Sequence, residues 1–199
     1  MTRRRAGTRD RPYTVITGFR LGLGGAAASF DVYPDLAVYG KAIAGGWPVA
    51  ALVGRSDLMD LLGGPVNHSG TFNGSVMACA ATIATLGLIS NDPPYERMVG
   101  YGTALMEGLK AVGDEASVPL HIEGLPMAFY VAPLPAPDGP AGGPASLRLS
   151  RHLADFGVWT TTRGLWFVSA VHGDAELNWT LDRFTKALGA GLSSGALVP

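Results

Sequence analysis

Asp35-Leu36-Ala37-Val38-Tyr39-Gly40-Lys41-Ala42-Ile43-Ala44-Gly45-Gly46-Trp47-Pro48 is the stretch on which the reading of this chain turns. Leu36 to Tyr39 form an apolar run of strand length that delivers a lysine between Gly40 and Ala42. The Gly45-Gly46 pair and Pro48 then turn the chain. The sequence holds only three lysines, Lys41, Lys110 and Lys186. The latter two stand among polar residues of helical pattern, the setting of solvated surface ammonium groups. Lys41 has apolar or glycine neighbours on both sides, which predicts an amine drawn out of water. Such an amine is either consumed chemically, as in Schiff-base lysines, or snorkels out of the strand end.

Working outward, 199 residues with 47% hydrophobic and 16% charged content describe a core-forming chain of one large domain or two small ones. The 28 glycines and 14 prolines fit a loop-rich α/β architecture. A net charge of −1 gives no bias toward nucleic acid or an anionic membrane. The single cysteine, Cys79, excludes an internal disulfide framework and fits a reducing cytosol, so a cytoplasmic location is expected. No run has transmembrane length, and the N-terminus lacks the apolar segment of a secretory signal. His68, His121, His152 and His172 are far apart, with no cysteine or carboxylate at ligand spacing, so no metal centre is predicted. No G-x-S-x-G elbow supports a serine hydrolase.

Residues 1–13 carry five of the fifteen basic residues and few apolar ones, and are expected to be a disordered leader. A basic arm for nucleic acid is the alternative for this segment. Val15-Ile16 reads as a strand end, and residues 26–30 as a short helix after a glycine-rich segment. Residues 49–54 form a further strand, followed by a helix over 57–62 capped by Ser56. The polar loop around Gly70, Thr71 and Phe72 opens a helix over 76–89 with Cys79 on its packed face. The loop either presents hydroxyls and N–H groups to an anion at the helix N-terminus or simply supplies Ser75 as the N-cap. Asn91-Asp92-Pro93-Pro94 marks a boundary, giving a domain over 14–92 and a second over 93–199. In the second, the pattern predicts helices over 94–112 and 146–156, and a turn at 121–126. Strands are predicted over 127–133, 158–161 and 165–170, a loop over 134–145, and a last helix capped by Asp174. Leu177, Leu181, Phe184 and Leu188 stripe that last helix at a spacing of 3.6 residues.

Taken in order, Val15-Ile16-Thr17-Gly18-Phe19-Arg20, Tyr33-Pro34-Asp35-Leu36, Gly40-Lys41-Ala42-Ile43-Ala44-Gly45-Gly46 with Pro48, and Gly70-Thr71-Phe72 closely resemble the class III (subgroup II) aminotransferases. The branch containing glutamate-1-semialdehyde aminomutases is the most similar, and the likeness resumes over residues 164–172 and the final helix. The resemblance implies the α/β fold type I of pyridoxal-phosphate (PLP)-dependent transferases, like aspartate aminotransferase. It implies the end of a large cofactor domain plus a C-terminal α+β small domain. It implies a transaminase or aminomutase in which Lys41 forms the internal aldimine with pyridoxal 5'-phosphate and shuttles a proton. Thr71 would reach the cofactor phosphate of the neighbouring subunit in a homodimer, with an amino acid or amine and a keto acid or aldehyde as substrates.

The chain also departs from the family pattern. Tyr13 and Thr14 stand where the family has an acidic pair whose aspartate keeps the pyridine nitrogen protonated. Ser75-Val76 replaces the asparagine-proline that follows the threonine motif. The large-domain region bearing the phosphate loop and the ring-stacking aromatic has no counterpart here. The expectation is therefore the C-terminal part of a split, truncated or frame-shifted gene, with homology beginning near residue 14. The alternative is a non-catalytic remnant or partner subunit that completes or regulates a separately encoded half. Arg163 is a candidate carboxylate clamp by its chemistry, and His172 lies beside a predicted strand end.

Overall fold

A computed structural model describes residues 4–5, 19–134 and 144–194. The chain divides into two compact units, 1–95 and 96–199. Most of the leader, Tyr13, Thr14, the strand expected at Val15-Ile16 and most of the loop expected over 134–145 lie outside the described residues.

In the first unit, β1 (Arg4–Arg5) pairs in parallel with β2 (Val32–Tyr33), and α1 (Gly25–Ser29) lies between them in sequence. The apolar run forms β3 (Leu36–Tyr39), paired antiparallel with β4 (Ala51–Gly54) so that Ala37 faces Val53 and Tyr39 faces Ala51. Ala37 is buried while Leu36 and Val38 are exposed, the two-residue alternation of a strand covered on one face. The strand does not run on into Lys41: residues Lys41–Ala44 coil into a 3₁₀ turn. The helix expected over 57–62 is the shorter α2 (Ser56–Met59). Ser56 lies inside it, because extended Arg55 takes the N-cap position and its guanidinium holds Asp57 and Asp35. α3 (Val76–Asn91) follows, with Ser75 at the N-cap but making no side-chain cap bond.

The second unit is opened by α4 (Tyr95–Glu115), which buries Met98, Leu105 and Leu109 at helical spacing. β5 (Leu120–Leu125), β6 (Ala128–Pro133) and β7 (Leu165–Phe167) form an antiparallel sheet in the order β5-β6-β7. The turn expected at 121–126 is therefore mostly strand. His121 pairs with Ala132 and Leu125 with Ala128, leaving only Pro126-Met127 as the hairpin loop. The strand expected over 158–161 does not form. The Thr161 N–H bonds to the Leu165 carbonyl, its hydroxyl accepts from the Leu165 N–H, and its carbonyl accepts from Ser150. Those bonds close a tight turn around Gly164, whose φ is 79°.

α5 (Pro144–Asp155) packs on β6 and on α6 (Asp174–Ser193). Gly173, not Asp174, caps α6; Glu176 reaches back to the Gly173 N–H at 2.9 Å. Phe129, Val131, Leu149, Leu153, Phe184 and Leu188 form the solvent-free centre of this unit. Trp166 ties it together, stacked on Phe129 and edge-on to Phe184.

Candidate functional site

The stretch that carries the lysine is shaped by two left-handed residues. Lys41 sits at φ 56°, a region that costs an L-residue because Cβ crowds the following carbonyl oxygen. Four residues on, Gly45 closes the 3₁₀ turn at φ 57° and ψ 29°, and Gly46 follows at φ 102°. Glycine is free to adopt those values and lysine is not, so the strain falls on the residue with the chemistry. Ile43 and Ala44 anchor the turn by burying against α3. The Lys41 side chain itself is exposed, which corrects the expectation of an amine drawn out of water. Around it, Gly40, Ile43 and Ala44 are buried within this unit, while Ala42 is exposed. Among the described residues Lys41 makes no ion pair, so its amine is available.

Lys110 and Lys186 differ in kind. Each is an exposed helix residue 2.7 Å from a carboxylate four positions away, Asp114 after Lys110 and Asp182 before Lys186.

Thr71 is exposed in a turn closed by the Asn73 N–H to Gly70 carbonyl bond at 3.0 Å and the Ser75 N–H to Phe72 carbonyl bond at 3.2 Å. The turn sets the Thr71 hydroxyl on the surface just before α3. Beside it lies an open cleft of about 640 Å³ lined by Pro48, Ala51, His68, Phe72, Ser75 and Cys79, among others. Neither Lys41 nor Thr71 lines this cleft. Cys79 is exposed to it, contrary to the expectation that it packs in the core. Ala78, one residue earlier, is the buried position of α3.

Sequence reasoning missed Thr82 and Thr85, whose hydroxyls bond back to the Ala78 and Ala81 carbonyls at 2.8 Å. Two threonines inside an otherwise apolar helix were the signal available. Thr82 lines the cleft, and Thr85 Oγ1 stands 3.3 Å from where a Cβ on Gly45 would be. Arg163 is exposed, and His172 accepts the Ser169 N–H through Nδ1 at 3.2 Å while its ring lies 5.2 Å from Tyr101. Both belong to the second unit. Among the described residues no three His, Cys, Asp or Glu side chains gather as a metal site. No helix there is long and apolar enough to cross a membrane.

The electrostatics are local. Arg55 holds the Asp57 carboxyl below its usual range through a hydrogen bond. Backbone N–H groups at the start of α6 do the same for Glu176. Burial pushes the Tyr101 phenol up.

What these residues offer a PLP group is an unpaired primary amine on a strained turn and a surface hydroxyl on a helix-opening turn. Those are the chemistries needed to anchor an aldehyde and to contact a phosphate. Tyr13, expected to stand in the acidic pair's place, lies outside the described residues.

Comparison with known proteins gives the setting. The family model for class-III aminotransferases matches residues 14–188. The glutamate-1-semialdehyde 2,1-aminomutase of Deinococcus deserti is 39% identical over 190 residues, covering 88% of this chain and 43% of the relative. That of Deinococcus radiodurans is 36% identical over 188 residues, covering 87% of this chain and 42% of the relative. Among solved structures, the PLP internal aldimine form of the FumI protein of Sphingopyxis sp. MTA144 superposes with a TM-score of 0.81. Its identity is 26%, over 92% of this chain and 43% of that one. The chain thus spans less than half the length of the relatives it matches.

Proposed function

The chain belongs to the class-III aminotransferases, and from that premise we propose that it serves a PLP-dependent aminotransferase or aminomutase in which Lys41 is the covalent carrier. Lys41 holds a left-handed φ of 56° on an exposed turn between Gly40 and Gly45, and this observation carries the reading. Strain kept on a lysine, where glycine would relieve it, is the mark of a position retained for its side chain. Bound PLP supplies an electron sink for the carbanion at the substrate Cα. Lys41 would hold the cofactor aldehyde through Nζ, and the same Nζ would take up and return the proton at the substrate Cα. Thr71 would offer its hydroxyl to the phosphate of a cofactor held by a neighbouring subunit. The substrates are an amino acid or amine and a keto acid or aldehyde.

Mixing the purified chain with PLP should give an absorbance band near the visible edge that borohydride bleaches. Lys41→Ala should abolish it, and persistence of the band in that variant removes Lys41 from the role.

α3 favours a second element of the reading, that the chain works only in an assembly. Its sixteen residues contain no charge, and only Ala78 is buried. Val76, Met77, Ile83 and Leu88 are 79%, 61%, 71% and 73% exposed. A helix apolar all round normally lies inside a protein, and patches of this kind mark interaction surfaces. The covering surface is a second copy of the chain or the part of the relatives' length that this chain does not span. The alternative, a non-catalytic partner that completes or regulates a separately encoded half, shares this surface and differs in giving no Lys41-dependent band. A soluble monomer that melts cooperatively on its own would count against the assembly.

A further inference from the structure

We propose that Thr85 and Gly45 are positioning residues for Lys41: the close approach of α3 to the lysine turn at these two residues holds the left-handed backbone that aims the amine. The inference rests on the reading of Lys41 as the carrier and concerns what keeps it in place.

The 3₁₀ turn is bracketed by left-handed residues, Lys41 at one end and Gly45 at the other. The bonds that close its two ends are long. The Ile43 N–H reaches the Gly40 carbonyl at 3.3 Å, and the Gly45 N–H reaches the Ala42 carbonyl at 3.4 Å; both are long for backbone hydrogen bonds. Beyond the turn, the Trp47 N–H reaches the Ala44 carbonyl at 3.0 Å. Packing supports the turn as well. Ile43 and Ala44 are buried against α3, and at the end of the turn the Gly45 backbone comes so close to the helix that an added Cβ would lie 3.3 Å from Thr85 Oγ1.

Thr85 is well suited to act as a stop. Its hydroxyl donates to the Ala81 carbonyl at 2.8 Å, which fixes the rotamer and presents a stationary oxygen to Gly45. Gly46 makes the contrast: a Cβ there meets nothing within 4 Å. The contact is therefore specific to Gly45. If the end of the turn is pushed off α3, nothing retains the strain at its start. Lys41 can then relax to a right-handed φ, which redirects its side chain.

The test uses the full chain and its three lysines as internal references. The protein is incubated with PLP, reduced with borohydride and mapped by mass spectrometry, and label on Lys41 is divided by label on Lys110 and Lys186. The wild type should favour Lys41. Thr85→Val keeps the shape of the stop and should keep the ratio. Thr85→Leu crowds the contact, and Gly45→Ala both crowds it and strains the left-handed Gly45 backbone; each should lower the ratio on the order of tenfold, the scale set by left-handed strain. Thr85→Ala combined with Gly45→Ala makes room for the new methyl and should recover part of the loss, a non-additivity expected only of neighbours. General loosening of the fold raises label on all three lysines and leaves no such pattern. Unchanged ratios in Thr85→Leu and Gly45→Ala, with a wild type that favours Lys41, overturn the positioning role and leave the carrier role standing. A wild type without preference for Lys41 overturns both.

Discussion

If Lys41 is kept for its amine at the expense of its backbone, replacing it by glycine should make the chain more stable while removing the function. A left-handed φ such as the 56° of Lys41 costs a non-glycine residue roughly 1–2 kcal/mol. Glycine removes that cost but adds freedom to the unfolded chain, which takes back roughly 0.4–1 kcal/mol. The side chain is exposed and makes no ion pair among the described residues, so little else is lost. Taken at the middle of both ranges, the net for Lys41→Gly is a gain of about 0.8 kcal/mol, equivalent to about 2–3 °C in melting temperature for a chain of this size. Lys41→Ala keeps the Cβ and the strain, and should stay within about 0.5 kcal/mol of the parent. Urea unfolding of the three proteins, at equal concentration and in the same state of association, measures both differences. Trp47, which follows the turn, gives a local fluorescence signal. Two melts that place glycine level with alanine, or below it, would falsify the claim that this lysine is strained, and with it the physical ground for singling it out.

Three further outcomes follow from the same geometry. In α4, a Cβ on Gly102 would strike the Pro126 backbone carbonyl, whereas one on Gly100 meets nothing within 4 Å. Gly102→Ala should therefore lose about 1–3 kcal/mol to overpacking, while Gly100→Ala gains up to about 1 kcal/mol of helix propensity; chemical denaturation of the pair separates the two terms. The Glu176 carboxyl is depressed first by the Gly173 N–H, so its stabilising effect is present above the ordinary carboxylate range and is lost as pH falls through the depressed value. The gap in melting temperature between the parent and Glu176→Gln should accordingly narrow from pH 7 to pH 3, and a gap constant across that range refutes the linkage. On α3, Ile83→Glu places a charge on a residue that is 71% exposed in this chain. If that surface is covered in an assembly, light scattering should show dissociation, and an unchanged assembled mass would move the interface elsewhere.

Local patterns made much of the fold legible. β3 is bounded where its apolar run is bounded, and the stripe on α6 buries Phe184 and Leu188 as its spacing requires. The misreadings share one cause, turn-forming residues that report on backbone freedom without fixing the partner strand. Gly124 and Pro126 suggested a turn over 121–126, yet the register to β6 takes in all but the last of those residues, and Gly124, at φ 129°, stays within the ladder. Val158 to Thr161 had strand composition, but Ser150 and Leu165 satisfy the Thr161 backbone locally and leave nothing to pair. At the site, the neighbours of Lys41 in sequence single it out as the proposed carrier. Its conformation could not be read in that way, because φ at a non-glycine residue is set by packing that sequence does not display.

Cys79 and α3 show a deeper limit. Apolar sequence says that a surface must leave water, but it does not say which polypeptide covers it. The uncharged α3 was expected to pack Cys79 inside, and within this chain only Ala78 is buried. Lys41 repeats the pattern, with an apolar setting in sequence and an exposed side chain in the structure. The two discrepancies meet in one place, since α3 is the helix against which the lysine turn packs. A single missing cover, over α3 and the lysine turn together, would resolve both. That links the association proposed for α3 to the reactivity proposed for Lys41. A Lys41-directed reaction with PLP should therefore strengthen as the chain is driven into its assembled state, and should weaken together with that state in Ile83→Glu.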